Sequence, residues 1–121
     1  MKMFTLDKGM LMDYIALEQY LKGIGDQNRL RILSYLMHQS LCVCELTELL
    51  QMTQPAISQH MRKLKDAGIV CEEKRGRWTI WSLQVRHPQY PVLIHLLSLL
   101  PAPTRTVEDL IKEGKKVMCE A

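Results

Sequence analysis

The chain has 121 residues, of which 47% are apolar and 24% charged. That composition suits one soluble globular domain and excludes disorder, a collagen-like repeat or a disulfide scaffold as a description of the whole. The formal net charge of +3 is localised: six basic residues stand against three acidic ones between Gln54 and Trp81, while the rest of the chain carries ten of each sign. So local a surplus points to a polyanionic partner, although a solvated basic face would share it.

No apolar run approaches the roughly 18 residues that a membrane span requires. The first residues lack a continuous apolar stretch and include Asp7 and Asp13, so no secretory signal is expected. The expected compartment is the cytoplasm, where Cys42, Cys44, Cys71 and Cys119 would be reduced thiols.

Leu and Met dominate the apolar residues and Phe occurs once, which favours helices over strands. Leu11, Ile15 and Leu17 to Leu21 predict a first helix closing near Gly23 and Gly25. Asp26 is a good N-cap for a second, in which Leu30, Leu33, Leu36 and Met37 recur at helical spacing up to His38-Gln39-Ser40. A short third helix carries Leu46, Leu49 and Leu50. Met52-Thr53 makes the turn into a fourth, with Thr53 as cap, Pro55 near its first position, an apolar stripe of Ile57, Met61 and Leu64, and Gly68 as its stop. The period then changes. Residues 69–73 and 78–83 read as two short strands around a basic turn, Lys74-Arg75-Gly76-Arg77. Beyond Pro88 and Pro91, Val92 to Leu100 is strongly apolar; Pro101 and Pro103 break it, and Thr106 to Val117 predicts a last helix.

Two short helices joined by a tight turn and followed by a basic hairpin describe a winged helix-turn-helix, mainly α with a small β-hairpin wing. In such a unit the second helix lies in the DNA major groove. With the apolar stripe facing inward, Gln54, Ser58, Gln59 and Arg62 fall on the outward side of that helix, with His60 and Lys63 at its edges. These side chains suit hydrogen bonds to base edges and phosphates. Lys74, Arg75 and Arg77 at the hairpin would meet the DNA backbone or minor groove.

Four strings, in order, resemble the ArsR/SmtB family: Gly25-Asp-Gln-Asn-Arg-Leu-Arg-Ile-Leu, Leu41-Cys-Val-Cys-Glu-Leu, Thr53-Gln-Pro-Ala-Ile-Ser-Gln-His-Met-Arg-Lys-Leu, and Gly68-Ile-Val with Arg75-Gly-Arg-Trp. The resemblance covers roughly Ile15 to Leu83. It implies a bacterial winged-helix repressor that senses metals or metalloids, binds double-stranded operator DNA without a resident cofactor, and dimerises through its first and C-terminal helices. The expected organisation is one domain over residues 1–121, with a DNA-reading core at 26–83 and homodimerisation helices at 10–25 and 88–118.

Cys42 and Cys44 are candidate soft ligands at the start of the third helix. Residues two apart diverge on a regular helix and share a face in extended chain, so a chelate there needs an unwound helix start. The same pair would also serve as two small packed residues. Leu41-Cys-Val-Cys-Glu-Leu resembles arsenite sensors and cadmium/lead sensors of the family. Many arsenite sensors place a third cysteine three residues after the second, where this chain has Thr47. The third ligand is then Cys119, Cys71 or an exogenous thiol, with Cys119 preferred. The resemblance implies trivalent arsenic or antimony as inducer of an arsenic-resistance operon. Cadmium or lead, or a persulfide or oxidant linking Cys44 with Cys119, is the alternative, and a DNA-binding module without inducer also stays open. The family's zinc sensors use paired acid and histidine ligands on their C-terminal helices. His95 alone does not reproduce that pattern, Glu108 is badly placed for it, and His38, His60 and His87 add nothing to it. A thiol-redox enzyme would need Cys-x-x-Cys beside a βαβ unit, and neither this nor any nucleophile–base set is present, so no enzymatic activity is expected.

Overall fold

The structure, a computed structural model, describes residues 11–114. Cys119, the outer ends of both expected dimerisation segments and the end of the last expected helix lie outside the described residues. The elements run α1 (Tyr14–Ile24), α2 (Gln27–Leu36), β1 (Leu41–Cys42), α3 (Val43–Leu50), α4 (Gln54–Asp66), β2 (Val70–Arg75), β3 (Trp78–Leu83), α5 (Tyr90–Leu97) and α6 (Val107–Lys112).

Side-chain caps decide where the helices begin, because the first backbone N–H groups have no partner within a helix. Asp13 Oδ1 accepts from Ala16 N at 2.7 Å, so α1 starts at Tyr14 and not at Leu11. Asp26 Oδ1 accepts from Asn28 N at 2.8 Å and Arg29 N at 3.1 Å. These bonds, that from Arg29 first, hold its carboxyl below the usual range. Thr53 opens α4, and Thr106 and Asp109 cap α6 reciprocally. At the end of α4, Gly68 takes φ +76°. The N–H groups of Gly68 and Ile69 then return to the carbonyls of Lys65 and Leu64, the paired bonds of a Schellman motif.

The sheet contains the expected hairpin and adds a third strand to it. It has three antiparallel strands in the order β1-β3-β2, with Leu41 opposite Trp81 and Cys42 opposite Ile80. A strand of two residues is too short to show alternation, so periodicity misses it. Lys74 and Arg75 are also displaced from the expected turn into β2, opposite Thr79 and Trp78. The hairpin closes through Gly76-Arg77 alone, with Gly76 at φ +61°, the left-handed first position that a glycine-first two-residue turn needs.

The helix in the apolar segment at 92–100 starts earlier and ends sooner than that segment. α5 begins at Tyr90, with Pro91 in its first turn, where a missing N–H costs nothing. It ends at Leu97, and Leu99 and Leu100 follow in tighter bonds to Leu96 and Leu97.

One core joins the helices: Ile32 and Leu33 of α2, Leu46 of α3, Ile57, Met61 and Leu64 of α4, and Leu110 of α6 are fully buried. Apolar side chains also face outward, on α1 and α5 most of all and at Ile111 of α6. Tyr14, Ile15, Leu17 and Leu21 on α1, and Val92 and Leu96 on α5, stay exposed.

Gly23 shows how tightly α1 meets the end of α4. A Cβ there would lie 2.8 Å from Ile69 Cδ1 and 3.1 Å from Ala67 Cβ. Alanine normally stabilises a helix over glycine by about 1 kcal/mol. Here overpacking reverses the sign, and Gly23→Ala should lower stability by about 1–3 kcal/mol in urea unfolding.

Candidate nucleic-acid interface and thiol pair

Three residues separate α3 from α4, and Gln51 makes the corner in the left-handed region at φ 55° and ψ 46°. The turn leaves α4 with one face buried and one open. Ile57, Met61 and Leu64 are 0% exposed. Gln54, Ser58 and Arg62, at intervals of four, form one outward line, with Gln59 and Lys63 beside it, all exposed. These are five of the expected contact residues. The sixth on this helix, His60, is half-buried, with Nδ1 3.2 Å from Arg29 Nη1.

The wing's charge is partly spent within the chain. Lys65 of α4 pairs with Glu72, and Arg75 Nε meets Glu73 Oε1 at 3.0 Å. Among the described residues, Arg62, Lys63, Lys74 and Arg77 take part in no salt bridge. Two of these cations lie on α4 and two at the hairpin end, so both elements present positive charge that no salt bridge offsets.

The thiol pair sits where strand becomes helix. Cys42 ends β1 in extended conformation, φ −93° and ψ 168°, and is at the same time the N-cap of α3; Cys44 is in its first turn. This break in backbone shape lets residues two apart converge, and their sulfurs approach to 2.6 Å. Glu45 holds the junction: its carboxylate is buried, and Oε1 accepts from Cys42 N at 3.0 Å. At the position of the missing third cysteine, Thr47 Oγ1 donates to Cys44 O at 2.7 Å.

Cys71 is not brought to the pair. It stands opposite Ser82 on β2, its sulfur 3.7 Å from Ser82 Oγ, and β3 runs between it and Cys42. Among the described residues no group of three or more His, Cys, Asp or Glu side chains is arranged to hold a metal ion. His87 stacks on Tyr20 with ring centroids 5.0 Å apart, and burial lowers its pKa. Its Nδ1 accepts from Gln89 N at 3.0 Å, so it has a packing role; His95 is exposed on α5.

Two residues escaped the sequence reading, Arg29 and Glu45, which are 8% and 2% exposed. Each carried a signal. Arg29 falls on the same helical face as Ile32 and Leu33. Glu45 stands three residues after the cap, the spacing of a capping box, but with cysteine where serine or threonine marks that pattern.

The model of the bacterial regulatory protein, arsR family, matches residues 26–71. An arsenic resistance transcriptional regulator, ArsR1 of Pseudomonas putida, is 38% identical over 71 residues, 58% of this chain and 53% of that protein. The chain thus spans about half the length of that relative. An arsenical resistance operon repressor of Staphylococcus xylosus is 39% identical over 72 residues, 60% of this chain and 69% of the relative. Reduced HlyU from Vibrio cholerae superposes with a TM-score of 0.64 at 27% identity, over 73% of this chain and 92% of that one.

If Glu45 secures the junction, Glu45→Ala should cost about 1–3 kcal/mol in denaturant unfolding, because the buried Cys42 N–H loses its acceptor. Glu45→Gln, which keeps an acceptor oxygen, should cost less.

Proposed function

The chain belongs to the ArsR family of bacterial regulatory proteins, and from that premise we propose that it is a cytoplasmic DNA-binding repressor released from its operator by trivalent arsenic or antimony. The observation that carries the DNA reading is the open face of α4. Gln54, Ser58, Gln59, Arg62 and Lys63 are exposed opposite a fully buried apolar stripe, as a helix reading the major groove requires. Gln54, Ser58 and Gln59 suit base edges, and Arg62 and Lys63 suit phosphates or guanine. Lys74, Arg75 and Arg77 on the wing add contacts beside the groove, of which Arg75 must be shared with Glu73.

A single reading helix binds weakly, and a dimer sets two of them about one DNA turn apart. The exposed apolar faces of α1 and α5 supply the surface for it. The dimerisation segments are then 10–25 and 88–118, flanking the reading core at 26–83. Among the described residues no helix is long and apolar enough to cross a membrane.

Cys42 and Cys44 are the two inducer ligands the geometry favours. Thiolates are the soft donors that trivalent arsenic and antimony take, and the strand-to-helix junction sets Cys42 and Cys44 side by side. The relatives named for arsenic resistance make arsenic the first inducer to test. Cys119 is the third ligand in this reading. Cys119 lies outside the described residues, and α6, the last described helix before it, packs against α3. Release needs only a modest coupling: about 1–3 kcal/mol lowers DNA affinity about 5- to 150-fold.

The test is fluorescence anisotropy of the reduced protein on the DNA upstream of its own gene, titrated with arsenite, with cadmium and zinc beside it. Arsenite should release the DNA, and Cys42→Ser or Cys44→Ser should bind DNA as well as wild type and no longer respond. Serine variants that still release fully would remove the pair from the inducer site. Arg62→Ala should weaken binding, and losing Lys74 or Arg77 should flatten the dependence of log affinity on log salt by about one unit each. Thr47→Cys should sharpen the arsenite response by adding a thiolate on α3.

A further inference from the structure

Arg29 lies in the first turn of α2 and is 8% exposed, yet it has no acidic partner among the salt bridges of the described residues. Its guanidinium serves the ends of other helices. Nε donates to Gly23 O at 2.6 Å and Nη2 to Lys22 O at 3.1 Å, carbonyls of the last turn of α1. Such carbonyls lack partners within their own helix. Nη1 reaches in the other direction, to His60 Nδ1 at 3.2 Å on α4. One side chain therefore spans α1, α2 and the middle of the helix assigned to the major groove.

The chemistry of this contact allows one protonation state. Guanidinium has only donors and keeps its charge. His60 Nδ1 must therefore be the acceptor, which puts the imidazole proton on Nε2. Imidazolium has no acceptor left, so a protonated His60 cannot take this bond and would face the guanidinium as a like charge. The charged groups around the ring are Asp26, which favours the cation, and Arg29 and Lys63, which oppose it.

We propose that Arg29 is a positioning residue for DNA binding: it sets α4 against α1 through a neutral His60, and operator affinity is lost as His60 takes up a proton. The inference rests on the DNA-binding reading. α1 carries one of the two faces assigned to the dimer, so the α1–α4 relation fixes where each reading helix stands relative to its partner. Burial, then the cationic neighbours, holds the pKa of His60 below its ordinary value against the pull of Asp26. The sign follows: the neutral form is the one the fold favours, so the contact is complete above the usual histidine value of about 6.5. It fails as the pH falls through the lower value of the folded protein.

This reverses what a direct phosphate contact by His60 would do. An imidazolium on a phosphate binds more tightly in acid, whereas a lost Arg29 contact binds more weakly. The experiment is anisotropy of the full chain on the duplex upstream of its own gene, from pH 5 to 8 at constant ionic strength. The His60 ring is followed by NMR in the same buffers. Wild-type affinity should fall about fivefold or more as His60 protonates. Arg29→Lys, which loses the fork, should bind more weakly at pH 8 and respond less to acid. His60→Gln keeps an amide oxygen for Arg29 and cannot titrate. It should bind with little pH dependence even though His38, His87 and His95 remain, and it keeps the test informative if Arg29→Lys does not fold. Wild-type affinity that rises in acid, or a His60→Gln variant that retains the wild-type pH profile, would overturn the inference alone. A wild-type chain that binds no such duplex at any pH would overturn the DNA-binding reading and this inference with it.

Discussion

Leu41 and Cys42 pair with Trp81 and Ile80, and much of the arrangement depends on that short ladder. Without it the hairpin of β2 and β3 would join the helix-turn-helix only by packing and through the end of α4. With it, the strand beside the wing leads directly into α3, the first helix of the reading unit. Cys42 has to end a strand and cap a helix at once, and that double duty gives it extended backbone beside a helical Cys44. The convergence of the two sulfurs follows from the fold change at this point more than from their spacing. The buried Glu45 supports it from the helix side, and the small apolar cluster of Cys42, Ile80, Cys44 and Trp78 supports it from the sheet side.

What could be read from the sequence and what could not divides along physical lines. Elements of ten residues or so, such as α2 and α4, display a 3.6-residue period and declare their caps through Asp26 and Thr53. The α4 helix and its outward residues are therefore legible in the sequence. The ladder is not, because two residues have no period. Nor is the position of Lys74 and Arg75 in β2, because the shortness of a two-residue turn at Gly76-Arg77 is a matter of backbone conformation. Pro91 misled in the opposite sense: a proline reads as a boundary, yet in the first turn of α5 it is compatible with helix. The candidate site split in the same way. The thiols and exposed cations were legible by type and spacing. Arg29 and Glu45 were not, since burial of a charged residue is set by partners distant in sequence or by an uncommon cap.

Arg29 and the thiol pair connect to α4 through different elements. Arg29 ties its middle to the end of α1. The thiols stand at the head of α3, which packs on α4, and at the strand that borders the wing. One route relates the reading helix to the proposed dimer face, and the other relates it to the proposed inducer site. Neither asks α4 to change its own conformation. Its buried stripe and Schellman stop can stay intact while its placement changes, which suits a helix whose outward residues must keep one geometry to read DNA.

For the proposed release from DNA, the magnitudes favour the β1 ladder as the yielding element. A hydrogen bond contributes about 0.5–1.5 kcal/mol net, and a two-residue pairing makes about two of them. The ladder is then worth about 1–3 kcal/mol, the same size as a coupling that lowers operator affinity about 5- to 150-fold. Occupation of the thiols need not unfold a helix or break the core, each of which would cost more than the coupling requires. Pulling Cys42 out of register with Ile80 would be enough. It would loosen the wing and the head of α3 together, because both are attached to the same two residues.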